Sequence, residues 1–392
     1  MTQRVAAGPS ADATDIATAP IVLTSQVSWS DTSPIRKIKQ DFGKVPLSFV
    51  SLFVSPKADF ESIVNEAQRL FPETNVAACT TAGEISALGY DEGKIIAVGF
   101  PSAGFATTSL LIEDIHALNP LPLIDRITLE RVRLQEGHPD LTSNFAFLVV
   151  DGLSLSEDAL TATISPALRE MPMFGGSAGD GTDFSRALVS LNGKVAVSAA
   201  VLTLVRSRYR TQVFSLDHLV PSERQMVVTE ADPERRIVKS INAEPAAREY
   251  ARIVGKDPEQ LDRFTFASHP VVVRIGAAHH VRAIQQVNEA GELVFFSAID
   301  EGMVLTVAAP QNMVDHLHNK MTDLSSQDKP AHILGCDCIL RRIEAEQRQM
   351  TRDLSHIMAS YNVTGFSTYG EQIGPLHVNH TMSGVAIYAS ED

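Results

Sequence analysis

The stretch CTTAGE at residues 79–84 follows an apolar run, NVAA, that reads as the end of a buried strand, and its surroundings decide the fold. Similar writing returns as GGSAGD at 175–180 and as FSTYGE at 366–371: small or hydroxylated residues, a glycine, then a carboxylate. Working outward, the first motif lies in the series VPLSFVSLFV, FESIVNEAQRLF, NVAACTTAGEI and KIIAVGF. The second lies in NFAFLVVDG, SEDALTATISPALREM, MFGGSAGDG and KVAVSAAVLTL. The third lies in PAHILGCDCIL, RRIEAEQRQMTRDLSHIM, NVTGFSTYGEQIG and MSGVAIYAS. Each block reads strand, amphipathic helix, strand, glycine–carboxylate turn, strand.

In the third block Ile343, Met350, Leu354, Ile357 and Met358 fall near one face at helical spacing. The strands are continuous apolar runs, as expected when a sheet is covered on both faces. Strand–helix–strand units imply parallel pairing with a right-handed crossover. A last strand after a tight turn returns antiparallel. The expectation is α/β: layered mixed sheets from repeated strand-helix-strand-turn-strand blocks, in two domains.

Residues 1–25 carry no sustained apolar period and read as a disordered arm. Proline and charge runs in SLDHLVPSERQ and EADPERR place a boundary near 205–235, which gives domains over 26–220 and 221–392. Beyond that boundary, HPVVVRIG, VRAIQQV and LVFFSAI alternate like strands.

The chain has 392 residues, with 33 basic and 47 acidic side chains and a formal charge of −14, which argues against a nucleic-acid partner. The adjacent pairs Arg235-Arg236 and Arg341-Arg342 read as solvated surface. No apolar run approaches the roughly 20 residues of a spanning helix, so no membrane association is expected. Three cysteines offer no disulfide framework, and no leader pattern opens the chain; both point to the cytoplasm. Cys336 and Cys338 lie two apart, on one face of a strand, and read as core packing, with redox sensing as the alternative.

Taken in order, ACTTAGEI, FGGSAGDG, INAEPAAREY and GFSTYGEQIGPLHVNHT resemble the FIST family, paired N- and C-terminal sensory domains, over roughly residues 45–390. The resemblance implies small-ligand sensing without catalysis. One standalone branch of the family binds haem and reports nitric oxide to a separate histidine kinase or cyclic-di-GMP enzyme. On that reading haem b is the cofactor, with His377 and His380 as candidate iron ligands and Thr368, Tyr369 and Glu371 beside them. Extended chain puts His377 and His380 on opposite faces, so one at most points inward. His279-His280 and His316/His318 are further candidates, and homo-oligomers are possible.

The alternative is a haem-independent sensor of a small polar metabolite such as an amino acid. Thr80, Thr81, Glu84, Ser177 and Asp180 would supply the convergent hydrogen bonds, and Arg186 or Arg274 would hold a carboxylate. Both readings expect the three glycine–carboxylate turns to meet around one cavity. The plainer reading of those turns is structural: glycine for positive φ, and a carboxylate accepting turn amides. An enzyme reading would use Cys79 or Ser177 as nucleophile, but neither has a sequence-paired base, and GGSAGD is not the G-x-S-x-G elbow.

Overall fold

The computed structural model describes residues 20–276 and 278–391. The first block runs β1 (Leu23–Ser28), α1 (Pro34–Phe42), β2 (Leu47–Val54), α2 (Phe60–Leu70) and β3 (Asn75–Thr80). A short hairpin of β4 (Glu84–Ser86) and β5 (Gly89–Asp91) then precedes β6 (Lys94–Pro101). The second block repeats this as β7 (Phe105–Ile112), α3 (Pro120–Gly137), β8 (Ser143–Asp151), α4 (Glu157–Leu168) and β9 (Met173–Ala178). Its hairpin is β10 (Val189–Leu191) and β11 (Lys194–Ala196), and its last strand is β12 (Ala200–Ser207).

The third block opens with β13 (Tyr209–Leu216) and is at once interrupted. The insertion holds β14 (Leu219–Asp232), β15 (Ile237–Ile241), β16 (Glu244–Pro245), α5 (Ala246–Val254) and α6 (Arg263–Ser268). It continues through β17 (Val271–Ile275), β18 (Ala278–Arg282), β19 (Ile284–Val287), β20 (Leu293–Phe295) and β21 (Val304–Pro310), which complete an eight-stranded sheet. The block resumes with α7 (Met313–Leu324), β22 (His332–Cys338), α8 (Ile339–Gln347), α9 (Thr351–Ser360) and β23 (Val363–Thr368). It closes with the hairpin β24 (Glu371–Ile373) and β25 (Leu376–Val378), then β26 (Met382–Glu391).

The expected pairings are present. β2–β3, β8–β9 and β22–β23 are parallel, and β6, β12 and β26 return antiparallel on β2, β8 and β22. Three features depart from expectation. The predicted arm reaches too far, because residues 23–25 already pair in β1 with β6; residues 1–19 lie outside the described residues. The helix expected across 341–358 is two helices, separated at Gln349, whose φ is +56°.

The hairpins were not expected, and they tie the blocks together. β4 of the first block pairs with β23 of the third, β24 of the third with β9 of the second, and β10 of the second with β3 of the first. Each six-stranded sheet therefore takes its last two strands from another block, in a closed cycle of three. The inner faces of the three sheets meet in one core. Phe53 of β2 stacks on Phe366 of β23 at 4.6 Å and meets Phe147 of β8 edge-on at 6.4 Å. These rings are at most 2% exposed, so the centre is packed apolar material rather than a chamber.

Helices seal the outer faces: α1 and α2 through Ile35, Ile38, Ile63 and Val64 on the first sheet, and α7 and α9 through Leu317, Met321, Leu354 and Met358 on the third. Sheets covered on both sides explain why their strands are written as unbroken apolar runs.

Candidate functional site

Strand register shows what the recurring carboxylate does. Glu84 stands opposite Phe366, and Glu371 opposite Gly176; the third equivalent position, opposite Cys79, is Val189. Glu84 accepts from Thr81 Oγ1 at 2.5 Å and from the Lys94 amide at 2.9 Å. Glu371 repeats this with the Thr368 hydroxyl and the Thr381 amide, the latter at 3.2 Å. Each Thr–Glu pair fastens the donated hairpin to the last strand of its own block. Burial pushes Glu84 above the ordinary glutamate range, and Glu371 well above it.

Asp180 is not their counterpart. It opens the extra loop of residues 181–188, where its carboxylate accepts from Ser185 N and Oγ, Arg186 N and Tyr369 Oη. Burial acts to raise the Asp180 pKa, but these hydrogen bonds outweigh it and hold it below the ordinary value. The structural reading of the turns holds in part: Gly83 alone of the three motif glycines takes positive φ, and Gly179 and Gly370 instead allow close packing, a Cβ on them standing 2.9 Å from the Tyr369 ring and 2.3 Å from His377 Cε1.

The expected common cavity is corrected in part. A cleft of about 720 Å³ opens at the carboxyl ends of β2 and β3, bordered by residues 55–61, by Thr80, Gly83 and Glu84, and by the loop from Asp180 to Arg186. Arg263 and Phe264 of α6 and Ile339 and Ile343 of α8 close its far side. Strand ends where the sheet changes partner are the usual place for ligands in such sheets. Thr80, Glu84 and Asp180 thus border one space. Thr81, Ser177, Thr368, Tyr369, Glu371, His377 and His380 do not line it.

Gly83 forms part of the floor at φ +131°, and a Cβ there would stand 2.0 Å from Arg342 Nη1. Arg342 uses that room to donate to the carbonyl of Asp91 and to Glu92. A second cleft of about 1010 Å³ lies toward the inserted sheet and shares Thr182, Asp183, Ser185, Arg263 and Phe264 with the first. Phe184, at φ +50°, anchors the dividing loop against Tyr369 at 4.6 Å and Phe296 at 5.5 Å.

Both favoured histidines are interior, against the expectation that at most one points inward; His380 takes φ +54°, so the segment is not extended there. His377 Nδ1 accepts from Gln372 Nε2 at 3.2 Å, and the ring packs so closely over Gly370 that a Cβ there would lie 2.3 Å from its Cε1. His380 has no hydrogen-bond partner on either ring nitrogen, and burial lowers its pKa to about 3, so it is neutral. Neither histidine borders either large cleft. A haem needs an open iron face and room for its ring. These residues do not fit a haem held by His377 or His380. The other candidates fare no better as a set: His279 and His318 are exposed, and His280 and His316 half-buried.

A buried trio was not legible in the sequence. One ligand atom each of His218, Glu344 and His380 lie within 4.8 Å of one another. Arg341 donates to His218 Nδ1 at 2.9 Å, which leaves Nε2 to carry the proton and donate to Glu344 at 2.8 Å. A metal on Nε2 would turn an Nδ1–H toward that guanidinium, so the trio is built for a proton rather than an ion. The arginine pairs are also corrected. Arg236, Arg341 and Arg342 are buried, and only Arg235 is exposed. Asp337, four residues before Arg341 and paired with it at 2.7 Å, is the signal that was available.

Cys336 and Cys338 are fully buried free thiols, as core packing requires, and burial pushes both well above the ordinary thiol range.

The fold is thus a three-block sheet exchange with a ligand-sized cleft at one strand end. Residues 48–244 match the FIST N domain and residues 246–374 the FIST C domain, so the chain belongs to the FIST family. FIST domains are associated with small-ligand sensing in signal transduction. The junction between the two matches falls within the inserted sheet, at β16. A search of curated proteins finds no match. No described helix is long and apolar enough to cross a membrane.

Proposed function

We propose that this protein senses a small polar metabolite of amino-acid type in the cleft at the β2–β3 strand ends, and acts by binding without turnover. The observation that carries the reading is the cleft itself. Its volume lies within the range of ordinary ligand sites, and its exposed rim holds charges of both signs, Glu61 and Asp183 with Arg186 and Arg263. The motif carboxylates Glu84 and Asp180 already have partners, so they shape the wall while the rim meets the ligand. Binding without turnover is supported by the two candidate nucleophiles. Cys79 is buried with its thiol pushed up, and Ser177 is buried with its hydroxyl held by Gln372 at 2.9 Å.

The loop of residues 181–188 touches both clefts, so a ligand in the first changes the packing of Phe184 against the inserted sheet. That movement is the signal passed, in the cytoplasm, to a separate histidine kinase or cyclic-di-GMP enzyme. The haem and nitric oxide reading implied by the resemblance draws no support from the surroundings of His377 and His380.

Thermal shift of the full chain against a polar metabolite panel tests the proposal. At least one compound raises the midpoint of wild type, and Thr182→Trp, an exposed position on both clefts, removes the shift. No shift from any compound, together with a Soret band after haem reconstitution that is lost when His377 and His380 are replaced, would return the haem reading.

A further inference from the structure

We infer that the first cleft holds its ligand by a carboxylate, received by the backbone amides of Lys57 and Gly93 and the hydroxyl of Ser55. The inference rests on the sensing reading above and names the ligand group that the cleft binds. The internal repetition of the fold carries it, because the matching position in the second block is filled by a carboxylate of the chain itself.

One backbone hydrogen bond makes three residues equivalent. The amide of Ser55, just after β2, donates to the carbonyl of Lys94 at 3.0 Å; that of Asp151, closing β8, to Ala199 at 2.9 Å; and that of Cys338, closing β22, to Thr381 at 3.0 Å. In the second block the Asp151 carboxylate accepts from Leu153 N at 3.0 Å and from Ser198 N at 2.6 Å. Those donors are the residue two positions on and the residue before Ala199. In the third block the buried Cys338 sulfur faces the amides of Leu340 and His380, which hold the same two places.

The first block keeps this scaffold and lacks the occupant. Ala58 N donates to the Ser55 carbonyl at 3.0 Å, as Ser154 N does to Asp151 at 3.2 Å. Gly93 shares the left-handed conformation of its counterparts, with φ +70° against +46° at Ser198 and +54° at His380. Serine has one oxygen, a bond closer to the backbone than a carboxylate's, and it meets neither amide. Among the described residues Lys57 N, Gly93 N and the Ser55 hydroxyl have no hydrogen-bond partner, although Gly93 is buried and Ser55 is 2% exposed. Buried amides are seldom left so. All three residues border the first cleft. A ligand carboxylate can accept from the two amides as Asp151 does, with Ser55 as a further donor. Lys57 adds a cation whose one ionic partner among the described residues is Glu92, at 3.9 Å with side chains 57% and 65% exposed, a contact weak enough to exchange. Glu84 does not compete for these amides, since its oxygens accept from Thr81 and the Lys94 amide and the Arg342 guanidinium offsets its charge.

Isothermal titration of the full chain with the proteinogenic L-amino acids, succinate and pyruvate tests this, followed by the carboxamide of each compound that binds. At least one acid is expected to bind, with its carboxamide about tenfold or more weaker. Inorganic phosphate, tetrahedral where a carboxylate is planar, should not displace it. Ser55→Asp puts the chain's own carboxylate where the second block has Asp151, and should abolish binding while circular dichroism shows the native fold. Ser55→Ala removes only the hydroxyl and should weaken binding several-fold; with the carboxamide comparison it decides the matter if Ser55→Asp does not fold. A carboxamide bound as tightly as its acid, displacement by phosphate, or undiminished binding to folded Ser55→Asp or to Ser55→Ala overturns the carboxylate assignment. So does a compound of the wider polar panel that lacks a carboxylate and binds where no acid does. The sensing proposal then still stands if Thr182→Trp removes binding of that compound. If nothing in the titrations or the panel binds, both fail.

Discussion

At the scale of single residues, the Thr–Glu pairs are fasteners, and their loss should register as stability rather than recognition. Thr368→Val leaves the sealed carboxyl of Glu371 without its hydroxyl partner and should cost about 1–3 kcal/mol in denaturant unfolding, with ligand affinity unchanged. Histidine burial makes the fold sensitive to acid. His332, fully enclosed beside Thr364, has its pKa lowered by burial to about 4, against 6.5 for the free side chain. The neutral form is what the fold holds. Its contribution is complete above pH 6.5 and is lost as pH falls toward 4, at about 1.4 kcal/mol per unit. Urea midpoints across that window should fall less steeply in His332→Gln; an unchanged slope would show that other groups dominate. The residues that were readable in advance, Thr80, Glu84 and Asp180, were visible because a glycine beside a carboxylate announces a turn. Arg236 was hidden because its acidic partners, Glu157 and Asp158, lie 79 and 78 positions away, and without them an arginine pair in a charged stretch reads as surface.

Between elements, the donated hairpins and the inserted sheet carry the load. Asn192 turns β10 into β11 at φ +52° and pins that hairpin to β3, its Oδ1 accepting from the Val76 amide at 2.8 Å. Asn192→Ala removes that bond and a residue tolerant of the left-handed region, and should cost about 1–3 kcal/mol by thermal or urea unfolding. Arg236→Ala strands Glu157 inside the contact between α4 and the inserted sheet. The expected loss is about 3–5 kcal/mol, the usual result of breaking a buried pair from one side. Limited proteolysis should then cut first in the inserted region; unchanged protease resistance would mean that the sheet is held by other contacts. The strands and most helices were legible because sheets covered on both faces write long apolar runs and helices write their 3.6-residue period. The three-residue hairpin strands are too short for either signal. Which block each hairpin joins is decided by packing far along the chain.

For the molecule as a whole, the cycle of exchanged hairpins makes the two family domains one cooperative unit. A chain ending at residue 244, the limit of the FIST N match, would leave β4 without β23 and β9 without β24. It should show no cooperative unfolding transition and poor amide dispersion; a sharp two-state melt of that fragment would contradict the interlocked topology. The most direct test is amide hydrogen exchange of the full chain, with and without the compound that gives the largest thermal shift. The expected result is added protection in the first turn of α2 and in the loop of residues 181–186, extending to the segment around Phe296, which directly follows β20. Protection confined to the segments around His377 and His380, with none at α2 or the loop, would contradict it.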